Sequence, residues 1–321
     1  MSVFLNTCEV FLESGFVFSL IAMGYYLSYS ILDFPDLTVE GTFLSGAVTY
    51  GLLLHHGVSP WLALVAAFLV GFLFGTVTGV LNVKLKIRPL LCGILVSTML
   101  ITVNLVAVTA GIAGDFKGET SSMITIGRTV ETFMEVFPAT LIPNKIGGIG
   151  LRSVVVLFLL AILFKLLLDL FLKTKCGLLL RASGDNAQFV VTQAKDAGNS
   201  KILGLAIGNA YAAVSGALYT EISGSVNQSM GIGMVVIGLA SLIIGLSVFS
   251  RVHFMKATTK VIIGAIIYQA CLTVAQKLGM PSAYNKLIMA LIFTLALIFS
   301  EYKKRGKHRI KHHERKETSH D

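Results

Sequence analysis

Apolar segments close to twenty residues long recur from one end of the sequence to the other. A run of about this length is what an α-helix needs to cross the hydrocarbon core of a bilayer. Inside lipid every backbone N–H and C=O group must find its partner within the protein, so the spanning elements are helices or closed barrels. Charged residues make up only 13% of the chain, about half their share in soluble domains. The sequence therefore predicts an all-α, polytopic membrane helix bundle.

We predict about nine transmembrane segments, and a count of eight or ten is also compatible with the pattern. The segments cover residues 10–32, 37–54, 60–82, 89–111, 153–172, 201–222, 230–249, 259–278 and 284–301. The two short segments, 37–54 and 284–301, are candidates for broken or partly re-entrant helices. Residues 1–301 are thus predicted to form one transmembrane domain, and residues 302–321 a basic cytoplasmic tail near anionic lipid.

Lysine and arginine are distributed unevenly between the two sides of this predicted bundle. If nine segments alternate in direction, 19 of the 26 basic residues fall on one side. They lie in the connections 84–88, 173–201 and 251–260 and in the tail. Because cytoplasmic loops carry an excess of these residues, we expect a multi-pass cell-membrane protein with its N-terminus outside and its C-terminus in the cytoplasm. The net charge of +9 then reflects membrane flanks, and nucleic acid is not an expected partner.

Residues 112–152 form the one long connection on the predicted external side. Connections of this length are often functional. Two interpretations remain open: a docking site for an external partner, or a structured lid over the helix ends.

The cytoplasmic connection 173–201 has the sequence pattern of a short capped helix. Gly184, Asp185 and Asn186 interrupt the preceding run, and Asp185 or Asn186 is a suitable N-cap. The apolar stripe that follows, at helical spacing, consists of Ala187, Val190, Val191 and Ala194. An apolar face in a cytoplasmic loop requires either a protein partner or the lipid surface, and the pattern favours both equally.

Polar residues within or beside the apolar segments are candidates for a solute path, because burying them in lipid is costly. They are Asp36, Thr38, Glu40, Asn104, Asn209 and Glu221. For the first three, the alternative is an ordinary helix boundary, in which Pro35 ends one helix and the acids cap the next. For the asparagines, the alternative is a hydrogen bond that joins two helices.

The sequence contains no arrangement suited to catalysis. It has no GxxxxGK[ST] phosphate loop, no HExxH pair and no cysteine–histidine cluster. We therefore predict no catalytic residue, no metal site and no enzymatic activity. Gly71, Gly75 and Gly79 recur every four residues in the third segment, a spacing that lets two helices approach closely without identifying the partner helix.

Three stretches together resemble the permease subunits of bacterial ABC importers of the branched-chain amino acid and ribose type. They are LDFPDLTVEGTFLSGA near the N-terminus, GLLLRASGDNAQFVVTQAKDAGNSKILGLAIGNAYAAVSGAL in the middle, and GIGMVVIGLASLIIG after it. The first is similar to the entry segment of that family, the second to its arginine-then-Gly-x-Asn loop and following helices, and the third to its glycine-rich helix. Together, in order, they cover most of the chain.

The resemblance implies a permease homodimer held by cytoplasmic ATPase subunits and supplied by an extracellular solute-binding protein. Arg181, Gly184, Asp185 and Asn186 match the loop motif, and the segment from Ala187 to Ala194 matches the helix that docks on the ATPase. ATP and Mg²⁺ would then be used by the partner subunit, and this chain would bind no cofactor.

A narrower resemblance concerns the phrase LDFPDLTVEG, which is similar to permeases associated with uptake of aromatic amino acids. It implies an importer of a small solute such as an amino acid, with aromatic ones favoured. The alternative function is a secondary transporter driven by an ion gradient, which typically shows inverted repeats and ionisable residues near the membrane midplane.

Overall fold

The computed structural model describes residues 2–113, 123–125, 151–185, 197–252, 254–278, 284 and 287–298. Ten α-helices lie in this described part. They are α1 (Ser2–Tyr25), α2 (Thr38–His55), α3 (Pro60–Val83), α4 (Pro89–Ala113), α5 (Leu151–Lys173), α6 (Lys175–Asp185), α7 (Ala197–Ser223), α8 (Met234–Val248), α9 (Ala257–Lys277) and α10 (Leu287–Ile298). The all-α membrane bundle predicted from the sequence is confirmed.

Four short elements lie between the helices in the described part of the chain. A π-helical turn, Tyr26–Ile31, continues α1. Strands β1 (Met123–Thr125) and β2 (Ser225–Asn227) pair in antiparallel fashion, with Ile124 opposite Val226. A 3₁₀ turn, Gln228–Gly231, follows β2 and precedes α8.

Each of the nine predicted segments coincides with an apolar helix among the described residues, and α6 is the helix that was not predicted. Seven helices are long and apolar enough to cross a membrane by themselves, whereas α2 and α10 are not among them. The count of nine spans therefore stays a prediction. The segment 37–54 is not broken, since α2 is continuous from Thr38 to His55.

Helix α7 lies at the centre of the bundle, packed against α1, α2 and α3. Its most apolar stretch is 78% buried and that of α1 72% buried, compared with 33% for α3 and α4. The glycine ridge of α3 faces α7: Gly71 lies against Ala213, Gly75 against Leu205, and Gly79 against Ile202. Small residues thus allow α3 and α7 to approach closely, as the four-residue spacing predicts.

Contacts between connections show which helix ends lie together. At one end of the bundle, β1 pairs with β2, and His56 Nε2 lies 3.2 Å from the Gly111 carbonyl oxygen. At the other end, Lys256 Nζ lies 3.0 Å from Asp169, and the Lys201 ammonium lies 5.2 Å from the Phe34 ring centre. This grouping agrees with alternation of the helices, including α2.

The interruption predicted over Gly184, Asp185 and Asn186 does not begin at Gly184, because α6 remains helical through Asp185, its last described residue. Tertiary packing explains the difference. Leu180 is fully buried, and the Gly184 backbone packs directly against the carbonyl oxygen of Ile31, where a side chain would not fit. Asn186 and the predicted docking residues Ala187 to Ala194 lie outside the described residues.

Candidate functional site

A buried hydrogen-bond network lies where the connection before α2 meets α7. Asp36 is only 1% exposed, and its two carboxylate oxygens have different partners. Oδ1 accepts a hydrogen bond from the Thr38 backbone N–H at 2.9 Å, and Oδ2 accepts one from the Asn209 side-chain amide at 2.7 Å. Asp36 therefore bonds the first backbone N–H of α2, whose N-cap residue is Leu37, and at the same time ties α2 to the middle of α7.

The hydrogen-bonding groups of the Asn209 side chain are all occupied. Its amide nitrogen also donates to the Leu205 carbonyl oxygen at 3.0 Å, and its oxygen accepts from the Thr42 hydroxyl at 2.9 Å. The Thr38 hydroxyl lies 2.9 Å from that of Thr78 on α3, and either can be the donor. Breaking such hydrogen bonds is costly, because a buried donor or acceptor without a partner still bears the free-energy cost of its removal from water. The network thus holds α2, α3 and α7 together.

The structure therefore brings Asp36, Thr38 and Asn209 together and leaves the other predicted path residues apart. Glu40 Oε1 accepts a hydrogen bond from the backbone N–H of Gly233 at 2.9 Å. Asn104 donates to the Gly41 carbonyl oxygen at 3.4 Å. Glu221 is bonded to the hydroxyl of Tyr50. Each of these three contacts joins α2 to another part of the chain.

The segment from β2 to the start of α8 lies alongside α2, inside the span of the bundle. Val226 packs against Gly51 in the last third of α2, whereas Gly231 and Gly233 contact Glu40 in its first turn. These two contact points are eleven residues apart, which corresponds to about 16 Å along a helix. Gly233 has φ = 94°, a left-handed conformation that favours glycine, and this turn leads directly into α8.

The connection 173–201, which contains the predicted docking helix, is attached to the turn at the end of α1. The Arg181 and Tyr26 side chains line the same cleft, and Gly184 packs against Ile31. After the undescribed residues 186–196, Lys201 lies over Phe34. Both flanks of the predicted docking helix therefore contact the stretch from residue 26 to residue 34, which leads to Asp36.

A cleft of about 400 Å³ opens beside Arg181. Its wall includes Asp169, which is bonded to Lys165 at 2.9 Å, to Lys256 at 3.0 Å and to the Thr258 hydroxyl at 2.7 Å. The pairing of Lys165 with Asp169 agrees with their spacing of four residues. Lys256 and Thr258 extend that pair into a junction between α5 and α9.

Comparison with known proteins identifies the family. The family model described as the branched-chain amino acid transport system permease component matches residues 9–297. The chain belongs to this permease family. Permeases of transport systems are not enzymes, in agreement with the absence of catalytic motifs from the sequence.

Three relatives cover different shares of the permease. A tyrosine transport system permease of Clostridioides difficile is 37% identical over 281 residues, which is 88% of this chain and 87% of that protein. A probable branched-chain amino acid transport permease of Methanocaldococcus jannaschii is 28% identical over 217 residues, 65% of each chain. An uncharacterized protein of Rickettsia prowazekii is 26% identical over 91% of this chain and 97% of its own length. No solved structure gives a significant match.

Sequence reasoning missed three members of the permease's buried network: Tyr25, Thr42 and Thr78. Thr42 follows Thr38 by four residues, so the two share a helix face. Thr78 stands between Gly75 and Gly79 in the glycine ridge of α3. Both positions were thus indicated by spacing. Tyr25, which donates to the Asp36 carbonyl oxygen at 2.9 Å, gave no sequence signal.

Proposed function

We propose that this permease is the membrane-spanning subunit of an ATP-driven importer that brings an amino acid into the cytoplasm, with aromatic amino acids favoured. The observation that carries the proposal is the 37% identity to a tyrosine transport system permease over most of both chains. The partners we propose are a cytoplasmic ATPase subunit, an extracellular solute-binding protein and a second copy of the permease. ATP and Mg²⁺ would be bound by the ATPase subunit.

The contacts between the connection 173–201 and the turn after α1 support this mechanism. A force applied to residues 187–194 by an ATPase would reach Arg181 and Gly184 on one side and Lys201 on the other. Gly184 and Lys201 contact the turn and linker from Tyr26 to Phe34, and Arg181 shares a cleft with Tyr26. That linker ends at Asp36, whose carboxylate is bonded to Asn209 in the centre of α7. π-Helical turns are frequent at functional sites, and this one lies between the docking connection and the buried network.

The proposal is tested by expressing the permease with the ATPase subunit encoded beside it. Purified permease alone should hydrolyse no ATP, and the ATPase should copurify with it. Val190→Asp places a charge in the proposed docking face. It should lower the affinity for the ATPase by about a thousandfold or more, because burying an unpaired charge costs several kcal/mol. The ATPase should then no longer copurify.

Thr192→Asp is the matched control, since residue 192 lies on the opposite side of the predicted helix from Ala187 and Ala194. It should copurify like the wild type. Robust ATP turnover by the permease alone, or unchanged copurification of Val190→Asp, would contradict the proposal. The second result would favour a helix that lies on lipid.

The alternative function is ion-coupled secondary transport, and the buried Asp36 is the observation that favours it. Ionisable residues inside membrane proteins are often part of proton or ion pathways. Both oxygens of Asp36 are nevertheless engaged by fixed donors, which is typical of a structural carboxylate. Uptake that stops when an ionophore collapses the ion gradient, while cellular ATP is maintained, would establish the alternative.

The solute is tested on the binding protein, because selection in such an importer lies mainly outside the membrane. A zwitterionic amino acid can cross a path of hydroxyls, amides and helix ends, whereas a strongly ionic solute needs buried counter-charges. Thermal unfolding of the binding protein should shift with tyrosine or a related amino acid. Ligand at ~100-fold above Kd stabilises by ~2.7 kcal/mol. A response to a sugar or nucleoside alone would refute amino-acid import and leave the importer assignment intact.

A further inference from the structure

Exposed polar side chains lie at membrane depth on the segment from β2 to the start of α8. The Gln228 side-chain amide donates to the carbonyl oxygen of Ile101 at 2.9 Å. Ile101 is the middle residue of α4, which runs from Pro89 to Ala113. The segment therefore descends from the helix end marked by β1 and β2 to about the middle of the bundle. We call residues 225–233 the re-entrant segment.

Backbone that is neither helix nor barrel is tolerated at this depth only where protein buries it or where it borders water. One face of the re-entrant segment is buried: Val226 and Gly231 pack against α2. The other face is exposed and carries Asn227, Ser229 and Ile232. The Ser229 hydroxyl already donates to the Asn227 side-chain oxygen, whereas the Asn227 side-chain N–H groups and the Ser229 hydroxyl oxygen can bond water or a polar solute but not lipid.

We propose that the exposed face of the re-entrant segment lines a water-filled path through which the solute passes. Asn227 and Ser229 supply an amide and a hydroxyl for the charged groups of a zwitterion, and Ile232, 57% exposed, supplies an apolar surface for its side chain. The assignment of the solute rests on the proposed function, whereas the water-filled path does not. The residues of this proposed path are not the path residues predicted from the sequence, whose side chains join helices.

The turn at the end of this segment is built to be fixed in place. The Asn227 side chain accepts hydrogen bonds from the Ser229 backbone N–H at 3.0 Å and from the Ser229 hydroxyl at 3.1 Å. The backbone N–H of Gly233, the residue before α8, donates to the Glu40 side chain of α2. A rigid polar surface of this kind favours contact with a passing solute, because its side chains lose little conformational entropy at each encounter.

The test is the reactivity of single cysteines in the full chain, with Cys8, Cys92, Cys176 and Cys271 replaced by serine. Ser229→Cys and Ile232→Cys should react with a membrane-impermeant, positively charged thiol reagent added to cells. Leu73→Cys and Leu163→Cys are the matched controls, because these side chains are exposed near the midpoints of α3 and α5. A thiol in apolar surroundings does not ionise readily, so the controls should react at least about tenfold more slowly.

Uptake of labelled tyrosine by cells that express the complete system is the second measurement. Modification of Ser229→Cys should block uptake, whereas the same treatment of Leu73→Cys should not. Reaction at position 229 with normal uptake would place the water outside the solute path and overturn the proposal.

These outcomes separate the two proposals. If the wild type shows no ATP-dependent uptake, the proposed function fails, yet reactive cysteines at 229 and 232 still establish water at membrane depth. If both positions are as unreactive as Leu73→Cys and Leu163→Cys, the water-filled path is refuted even where ATP-driven uptake is intact.

Discussion

At the scale of single residues, Asp36 illustrates how one side chain performs two structural roles. As an acid beside Pro35 it was expected either to cap α2 or to line a solute path, and Asn209 was expected to join helices or to line the same path. In the structure Leu37 is the N-cap residue of α2, and the Asp36 carboxylate accepts hydrogen bonds from the Thr38 N–H and from Asn209 of α7. A donor stands opposite each oxygen, so this site requires an acceptor at both positions.

Asp36→Asn should therefore destabilise the protein although it removes a buried charge. The new amide places a donor opposite either Thr38 N–H or the Asn209 amide, and one buried donor loses its partner. We expect the free energy of unfolding to fall by about 1–3 kcal/mol, measured by thermal unfolding in detergent. Asp33→Asn is the control, because Asp33 is exposed and its φ of 49° suits asparagine. Equal stability of the two variants would show that the network contributes nothing.

At the scale of elements, the close approach of α3 and α7 decides whether replacing a glycine with alanine stabilises or destabilises the protein. Within an isolated helix, Gly→Ala is favourable by about 1 kcal/mol. At Gly75 a Cβ atom would lie 2.6 Å from the Leu205 carbonyl oxygen and 2.7 Å from Asn209 Cβ. The helices would have to separate at the position where the buried network crosses between them.

Gly75→Ala should thus lower the free energy of unfolding by about 1–3 kcal/mol, the usual cost of overpacking. Leu73→Ala on the same helix is the control: its side chain is 57% exposed, so its removal should have a much smaller effect. Thermal unfolding of the two purified variants in the same detergent makes the comparison. A stabilised Gly75→Ala variant would mean that propensity outweighs packing at this contact.

At the scale of the whole molecule, contacts between connections support the predicted alternation of helices. The linker after α1 contacts α6 through Ile31 and Gly184, and the connection after α2 contacts the end of α4 through His56 and Gly111. Helix α2 thus links opposite ends of the bundle although its composition alone does not qualify it as a span. The basic residues then predict which end is cytoplasmic.

Cysteine labelling on intact cells tests this orientation. Ser59→Cys, in the connection between α2 and α3, should react with a membrane-impermeant maleimide. Lys84→Cys, after α3, and the native Cys176 on α6, both exposed, should react only after the membrane is permeabilised. The opposite pattern would place the C-terminus outside. Reaction of Ser59→Cys and Cys176 under the same conditions would mean that the two connections lie on one side, contrary to the crossing of α2.

The sequence by itself determined the helix bundle, the approximate bounds of its segments, the family and the spacing of the glycine ridge. These properties depend on local composition: an apolar run in lipid must close its own backbone hydrogen bonds, so length and hydropathy are sufficient to find it. The resemblance of the three quoted stretches was likewise local, and the match over residues 9–297 confirms it.

Only the tertiary structure decided which helix the glycine ridge contacts, which polar residues meet, and where helical order gives way inside the bundle. Asp36 and Asn209 are 173 positions apart, and no local pattern encodes their contact. Helix α6 persists through Gly184 because a distant backbone packs against it. The segment 230–249 reads as one apolar run, yet α8 begins only at Met234, because Glu40 of α2 holds the turn at Gly233. Such choices depend on neighbours brought together by folding, so they appear only when the bundle is assembled.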